Sequence, residues 1–201
     1  MTMTESLKRA YAAARFLFEV GTLRRIPRMH TQVLGYPDLT DNIASHTYRM
    51  SMIGWLIAIE EKLDTGRVVK MCLLHDLGET RSGDHNWVHK RYVKVFEQEI
   101  IESQLGELPW TELKDLAEEY AARQTAEAKA AKDADLLDQM LLVKEHKHAG
   151  SREAARWLGG QDKLDRWLQP LHFDSSKKIG AAIFKMRPTS WWDKLYTNVN
   201  R

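Results

Sequence analysis

The chain has 201 residues, 43% apolar and 29% charged, with 30 basic and 28 acidic side chains for a formal net charge of +2. That length fits one domain spanning residues 1–201 with a good core and leaves little room for a second, and the even charge argues against nucleic acid or an anionic membrane as a partner. No stretch approaches the roughly 20 apolar residues of a membrane span, and residues 1–9 are polar, with no apolar core and cleavage site behind them. The lone cysteine, Cys72, lies in the run Val68-Val69-Lys70-Met71-Cys72-Leu73-Leu74. It reads as a small buried hydrophobe, rules out an intrachain disulfide and suits a reducing compartment, so a cytoplasmic enzyme is expected.

The pattern is helical almost throughout, because Val, Ile and Thr never gather into alternating runs. Residues 5–20 form a first helix that Gly21 stops. Residues 22–40, with Pro27, Gly35 and Pro37, read as a surface loop. A second helix begins near Asp41 or Ser45 and runs to about Leu63, with apolar residues at Tyr48, Met52, Trp55, Leu56, Ile59 and Leu63. Asp64 or Thr65 caps a third helix over residues 66–77, apolar on nearly all sides and therefore expected at the centre of the core. A polar loop with Gly83 follows, then helices over 88–105, 110–121 and 124–148 and shorter ones beyond Gly150. The tail carries Trp191, Trp192 and Tyr196, a broad apolar surface expected to dock on the chain's own core or to form a homodimer.

His46, His75, Asp76 and one aspartate of the pair Asp133/Asp135 stand out as candidate metal ligands. A His-Asp doublet ending an apolar helix is costly to bury unless both groups are satisfied, and a cation satisfies both. If the second and third helices form an antiparallel hairpin through Asp64-Thr65, the start of one faces the end of the other, which brings His46 beside His75 and Asp76. On a helical wheel Asp133 lies nearer the stripe of Ala130, Ala134, Leu137 and Met140, so periodicity favours Asp133 over Asp135.

Three segments occur in order: Ser45-His46-Thr47-Tyr48-Arg49, then Cys72-Leu73-Leu74-His75-Asp76-Leu77-Gly78-Glu79, then Lys132-Asp133-Ala134-Asp135-Leu136-Leu137. This order resembles the HD-domain superfamily of metal-dependent phosphohydrolases. Leu23-Arg24-Arg25-Ile26-Pro27, Glu79 and Gly83-Asp84 narrow the likeness to its 5′-deoxynucleotidase (YfbR-like) branch and that branch's archaeal and phage relatives. The resemblance covers roughly residues 20–148. It implies an all-α HD-type helical bundle with His46, His75, Asp76 and Asp135 as ligands, since the family pattern ends in Ala-Asp. The mixed nitrogen and oxygen set suits one divalent ion such as Mn, Fe, Co, Ni or Zn. Glu79 is then the candidate general base, and Asp84 lies near the sugar and the reaction centre. Arg25 approaches the phosphate, where a planar guanidinium grips two oxygens. Ile26 stands where bacterial members often carry Trp, which leaves base preference open. Trp87, Lys90 and Arg91 offer stacking and further phosphate contacts.

The expected reaction is hydrolysis of a deoxynucleoside 5′-monophosphate. The alternatives are a triphosphohydrolase acting on dNTPs, and a non-catalytic metal or nucleotide sensor, against which the presence of Glu79, Asp84 and Arg25 argues. A helical nucleic-acid-binding module built on Trp87, Lys90, Arg91 and Lys94 is a minor option, because the charge is near neutral and no reading motif is present.

Overall fold

The computed structural model describes residues 3–35, 38 and 40–195, and it is helical with no strand among them. The helices are α1 (Glu5–Val20), α2 (Thr31–Leu34), α3 (Ile43–Glu60), α4 (Thr65–Leu74), α5 (Glu79–Ser82), α6 (Trp87–Tyr92) and α7 (Glu97–Leu105). They continue with α8 (Thr111–Ala122), α9 (Ala126–His148), α10 (Arg152–Leu158), α11 (Leu164–Leu168) and α12 (Asp174–Lys185). Short 3₁₀ turns cover Gly21–Arg25, Gln161–Lys163 and Ser190–Trp192.

Side-chain caps set the starts of the long helices. Thr4 caps α1, Asp64 caps α4 and Thr125 caps α9, each accepting from a backbone N–H of the first turn. Asn42 and Ser45 form a reciprocal capping box at the start of α3, one turn before the histidine that matters most. α3 and α4 make the expected antiparallel hairpin. Gly54 lets them close: a Cβ there would sit 2.7 Å from the Cys72 Sγ and 3.1 Å from Val68. Ala130, Ala131 and Ala134 of α9 complete the seam with Met50, Ile57, Val68 and Met71, all fully buried. Each large side chain withdrawn from water here contributes roughly 1.5–3 kcal/mol.

The expected surface loop over 22–40 holds α2 and the buried Leu34, the polar loop around Gly83 begins with α5, and the packing departs from the sequence expectations in four further places. First, the central helix is α9, not α4. α9 packs on α3, α4, α8, α10 and α12, whereas α4 buries only Val68, Met71 and Cys72 and leaves Leu73 exposed. Second, α4 ends at Leu74, and residues 75–78 tighten into turns in which Leu77 N donates to Leu74 O and Glu79 N to Asp76 O. Third, the expected helix over 88–105 is broken by residues 93–96 between α6 and α7. Fourth, the apolar face of α3 read from Tyr48, Met52, Trp55, Leu56 and Ile59 is exposed, and its buried face is Met50, Ile53, Gly54, Ile57 and Ala58. α3 is apolar around most of its girth, so periodicity could not tell which face the bundle covers. The tail behaves similarly: Trp191 and Trp192 stack 4.9 Å apart but remain 69% and 40% exposed. Tyr196 lies outside the described residues, as does Pro37.

Asp133 anchors the C-terminal segment. It is fully buried, and its carboxylate accepts the backbone N–H groups of His172 and Phe173 and pairs with the His172 Nδ1 at 2.8 Å. We expect Asp133→Ala to lose about 1–3 kcal/mol for each donor left without an acceptor while metal content is retained. A loss of metal with no loss of melting temperature would reverse the assignments of Asp133 and Asp135.

Candidate metal centre and phosphate cleft

His46 projects from the first turn of α3, His75 and Asp76 from the turn that ends α4, and Asp135 from the middle of α9. The hairpin and the α9 seam bring these together. The two imidazole Nε2 atoms lie 3.0 Å apart. The Asp76 Oδ2 is 2.8 Å from the His75 Nε2 and 3.5 Å from that of His46, and the Asp135 Oδ1 is 3.5 Å from the His46 Nε2. His46, His75 and Asp135 each offer a ligand atom within 4.8 Å of the others.

The tautomers follow from the outer partners. The His46 Nδ1 lies 2.6 Å from the Asp138 Oδ2, and the His75 Nδ1 2.7 Å from the Cys72 carbonyl oxygen. Both acceptors call for a proton on Nδ1 and leave each Nε2 facing the carboxylates. Burial opposes charge on His75, but Asp76 raises its affinity for a proton, a proton that a cation would displace. Two imidazole nitrogens and the Asp135 carboxylate clustered within 4.8 Å, with Asp76 beside both histidines, fit a divalent cation, and imidazoles held from behind are the usual outer arrangement of such a site. Asp138 is itself held by Arg49, whose Nε donates to it at 2.5 Å while its Nη1 reaches Glu145. Burial opposes the Asp138 charge, yet His46 and Arg49 hold its carboxyl below the usual range.

Burial also opposes charge on Asp76, but His75 and His46 draw its carboxyl down. Asp135 is lowered in the same way against its burial, chiefly by Lys132, whose Nζ donates to it at 2.6 Å, and by the two histidines. Glu79 behaves oppositely. Burial first, then the neighbouring charges of Asp76 and Asp84, push its carboxyl up to about 10, and its Oε2 has no hydrogen-bond partner. A network on the far side of α5 fixes it in place. Arg81 and Thr80 donate to Glu19 of α1, as does Gln104 of α7.

The expected residues separate into two groups. Those near the ligands include Asp84, which accepts from the Met29 N–H at 2.6 Å, and Lys90, which faces a cavity of about 510 Å³. Asp76, Glu79, Tyr120, Arg123, Lys132 and Asp135 line the same cavity. Arg25, Trp87 and Arg91 are not brought to it. The 3₁₀ turn buries Leu23 and turns Arg24 and Arg25 outward beside Leu17 and Phe18. Trp87 meets Trp157 and His30 instead, with centroids 4.6 and 6.1 Å apart, and Arg91 is exposed over Tyr92.

Arg28 was given no role from the sequence. A bridge between Pro27 and Asn42 turns the chain inward, and Arg28 becomes 5% exposed, 3.9 Å from both Asp76 and Asp84. Its Nε has no hydrogen-bond partner. Burial opposes its charge, but the surrounding aspartates raise its affinity for the proton. Asn86 steadies the segment by donating to the Met29 carbonyl and to Gln32. Asp138 was missed as well. Its signal was a third acidic residue one helical turn after Asp135.

An all-α bundle with a His, His-Asp and Asp cluster at its seam defines a class of protein, and the HD-domain family model matches residues 20–165. The chain belongs to the HD-domain family of metal-dependent phosphohydrolases. Among its relatives are the 5′-deoxynucleotidase HDDC2 of Xenopus laevis, 31% identical over 69% of this chain and 71% of that one. The human 5′-deoxynucleotidase HDDC2 is 30% identical over 68% and 69%. A predicted metal-dependent phosphohydrolase from Magnetospirillum magnetotacticum superposes with a TM-score of 0.67 at 26% identity, covering 90% of this chain and 92% of that one.

Proposed function

We propose that the protein hydrolyses deoxynucleoside 5′-monophosphates to deoxynucleoside and phosphate, using one divalent ion held by His46, His75, Asp76 and Asp135. The observation that carries this reading is the pair of Nε2 atoms 3.0 Å apart, each imidazole fixed from behind through its Nδ1. The names of the nucleotidase relatives supply the substrate class. When bound, a divalent cation would supply Lewis-acid chemistry at a phosphoryl oxygen and acidify water, and its charge would favour the ionised form of Glu79. Glu79 takes a proton from the attacking water. Arg28, in the role the sequence gave to Arg25, offsets charge on the phosphate, and Asp84 positions Arg28 and the Met29 backbone. Lys90 faces the same cleft and adds a second cation for the substrate.

The test is phosphate release from a panel of dNMPs, NMPs and dNTPs with Mn, Co, Ni and Zn. Orthophosphate from dNMPs supports the reading. Triphosphate released from dNTPs, with dNMPs untouched, moves the protein to the triphosphohydrolase class, and no turnover of any substrate leaves a sensor.

The protein is also proposed to be a homodimer in a reducing, cytoplasmic setting. The exposed stripe of Tyr48, Met52, Trp55 and Ile59 recurs at helical spacing along one side of α3 and is a better candidate interface than the tail. Light scattering should give twice the 23.3 kDa of one chain, and Trp55→Glu should return it to one chain mass. A wild type of 23.3 kDa at micromolar concentration ends the proposal.

A further inference from the structure

One guanidinium in the cleft has no part in the chemistry above. α8 ends at Ala122, and the next residue, Arg123, takes a left-handed backbone with φ 55°. A side chain with a Cβ is disfavoured there, and glycine is the usual choice just past a helix end. The only other described non-glycine residue with positive φ, Lys62, is exposed on the α3–α4 turn. Arg123 instead folds back over Tyr120, its Cζ 3.4 Å from the ring centroid. Tyr120 in turn meets the His75 ring edge-on, centroids 5.7 Å apart. The guanidinium is therefore held on one aromatic face at the wall of the metal cleft. Its Nη1 is shielded from solvent and has no hydrogen-bond acceptor. Lys132 on the same wall is already committed to Asp135, whereas no carboxylate pairs with Arg123 among the described residues.

We propose that Arg123 is a substrate-binding residue whose guanidinium donates to an oxygen of the phosphoryl group, from the α8–α9 side of the cleft. The inference rests on the phosphohydrolase reading of this site. An oxyanion supplies what the Nη1 lacks, and the Tyr120 stack fixes the guanidinium plane before the ligand arrives, which lowers the ordering cost of binding.

The experiment uses full-length, metal-loaded protein and inorganic phosphate as the probe, by titration calorimetry, for wild type, Arg123→Gln, Arg123→Gly and Arg123→Lys. Melting temperature and metal content are read in parallel. Gln and Gly should weaken phosphate binding by roughly 10- to 100-fold, the worth of one charged hydrogen bond, with metal content unchanged. Lys should recover part of the loss. The Gly variant should melt no lower than wild type, because glycine adopts the left-handed backbone freely. In turnover, KM should rise more than kcat falls. Unchanged phosphate affinity in Gln and Gly, with a lower melting temperature, overturns the proposal and leaves Arg123 a structural cover for Tyr120. If wild type turns over no nucleotide but binds phosphate in an Arg123-dependent way, the site assignment stands and the enzymatic reading fails. If wild type turns over dNMPs and the variants match it in KM and phosphate affinity, the reverse holds.

Discussion

Glu79→Gln is expected to cut kcat by roughly 10²–10⁴-fold, the usual worth of general acid–base catalysis, while KM moves little. The substitution keeps the size of the side chain and removes only its basicity, so metal content should stay at the wild-type level. Metal-free protein gives an independent readout. In the folded chain the Glu79 carboxyl is raised to about 10 by burial and by Asp76 and Asp84, against an ordinary value of about 4.3 when unfolded. Between those two values the folded state keeps a proton that the unfolded chain has lost, so this group makes stability fall as pH rises through that window. The Gln variant lacks that slope. At pH 8 its metal-free form should be more stable than metal-free wild type by at least about 1 kcal/mol, since each pKa unit is worth about 1.36 kcal/mol, and the two should converge below pH 4. A wild-type turnover rate in Glu79→Gln would remove the general-base assignment and leave Asp84 as the next candidate. Loss of metal in that variant would place Glu79 among the ligands.

Stripping the protein with a chelator should abolish activity and lower the melting temperature together. The cation binds only the folded arrangement of α3, the α4 turn and α9, so it stabilises by mass action, by about 2.7 kcal/mol at a hundredfold excess over Kd. At roughly 2–4 °C per kcal/mol for a chain of this size, the shift is about 5–10 °C. Asp76→Ala should reproduce the stripped state permanently, because it removes the carboxylate shared by His75, His46 and Arg28. Asp138→Asn should be milder. It leaves all four ligands but loosens the His46 tautomer, and metal affinity should fall about 10- to 100-fold. Equal activity and melting temperature before and after stripping, with absence of the metal shown by elemental analysis, would sink the metal reading and the mechanism built on it.

The sequence by itself determined the elements whose causes are local. Asp64, expected with Thr65 as a cap, starts α4, and the starts expected near Asp41 or Ser45 and at 124 fall beside the caps Asn42 and Thr125, because a short polar side chain bonds the first turn from that position. The short turn at Asp64 makes α3 and α4 antiparallel, and that alone sets His46 beside His75 and Asp76. The order of the three motif segments was legible for the same reason, since His46 opens α3, His75 and Asp76 follow the end of α4, and Asp135 lies within α9. Tertiary packing decided what depends on which surface a distant helix covers. α3 has two apolar faces, and the small residues Gly54, Ala130 and Ala134 chose the one that closes most tightly. α9, surrounded by helices, covers two faces: Asp133 is fully buried, and Asp135 is half-buried beside the histidines. One holds backbone donors of the C-terminal segment and the other points to the histidines, a distinction that no helical wheel carries. Arg28 rather than Arg25 reached the cleft because a bridge between residues 15 positions apart, Pro27 and Asn42, folded the loop inward. That pairing depends on where α3 begins in space, and nothing in the run Leu23-Arg24-Arg25-Ile26-Pro27-Arg28 encodes it.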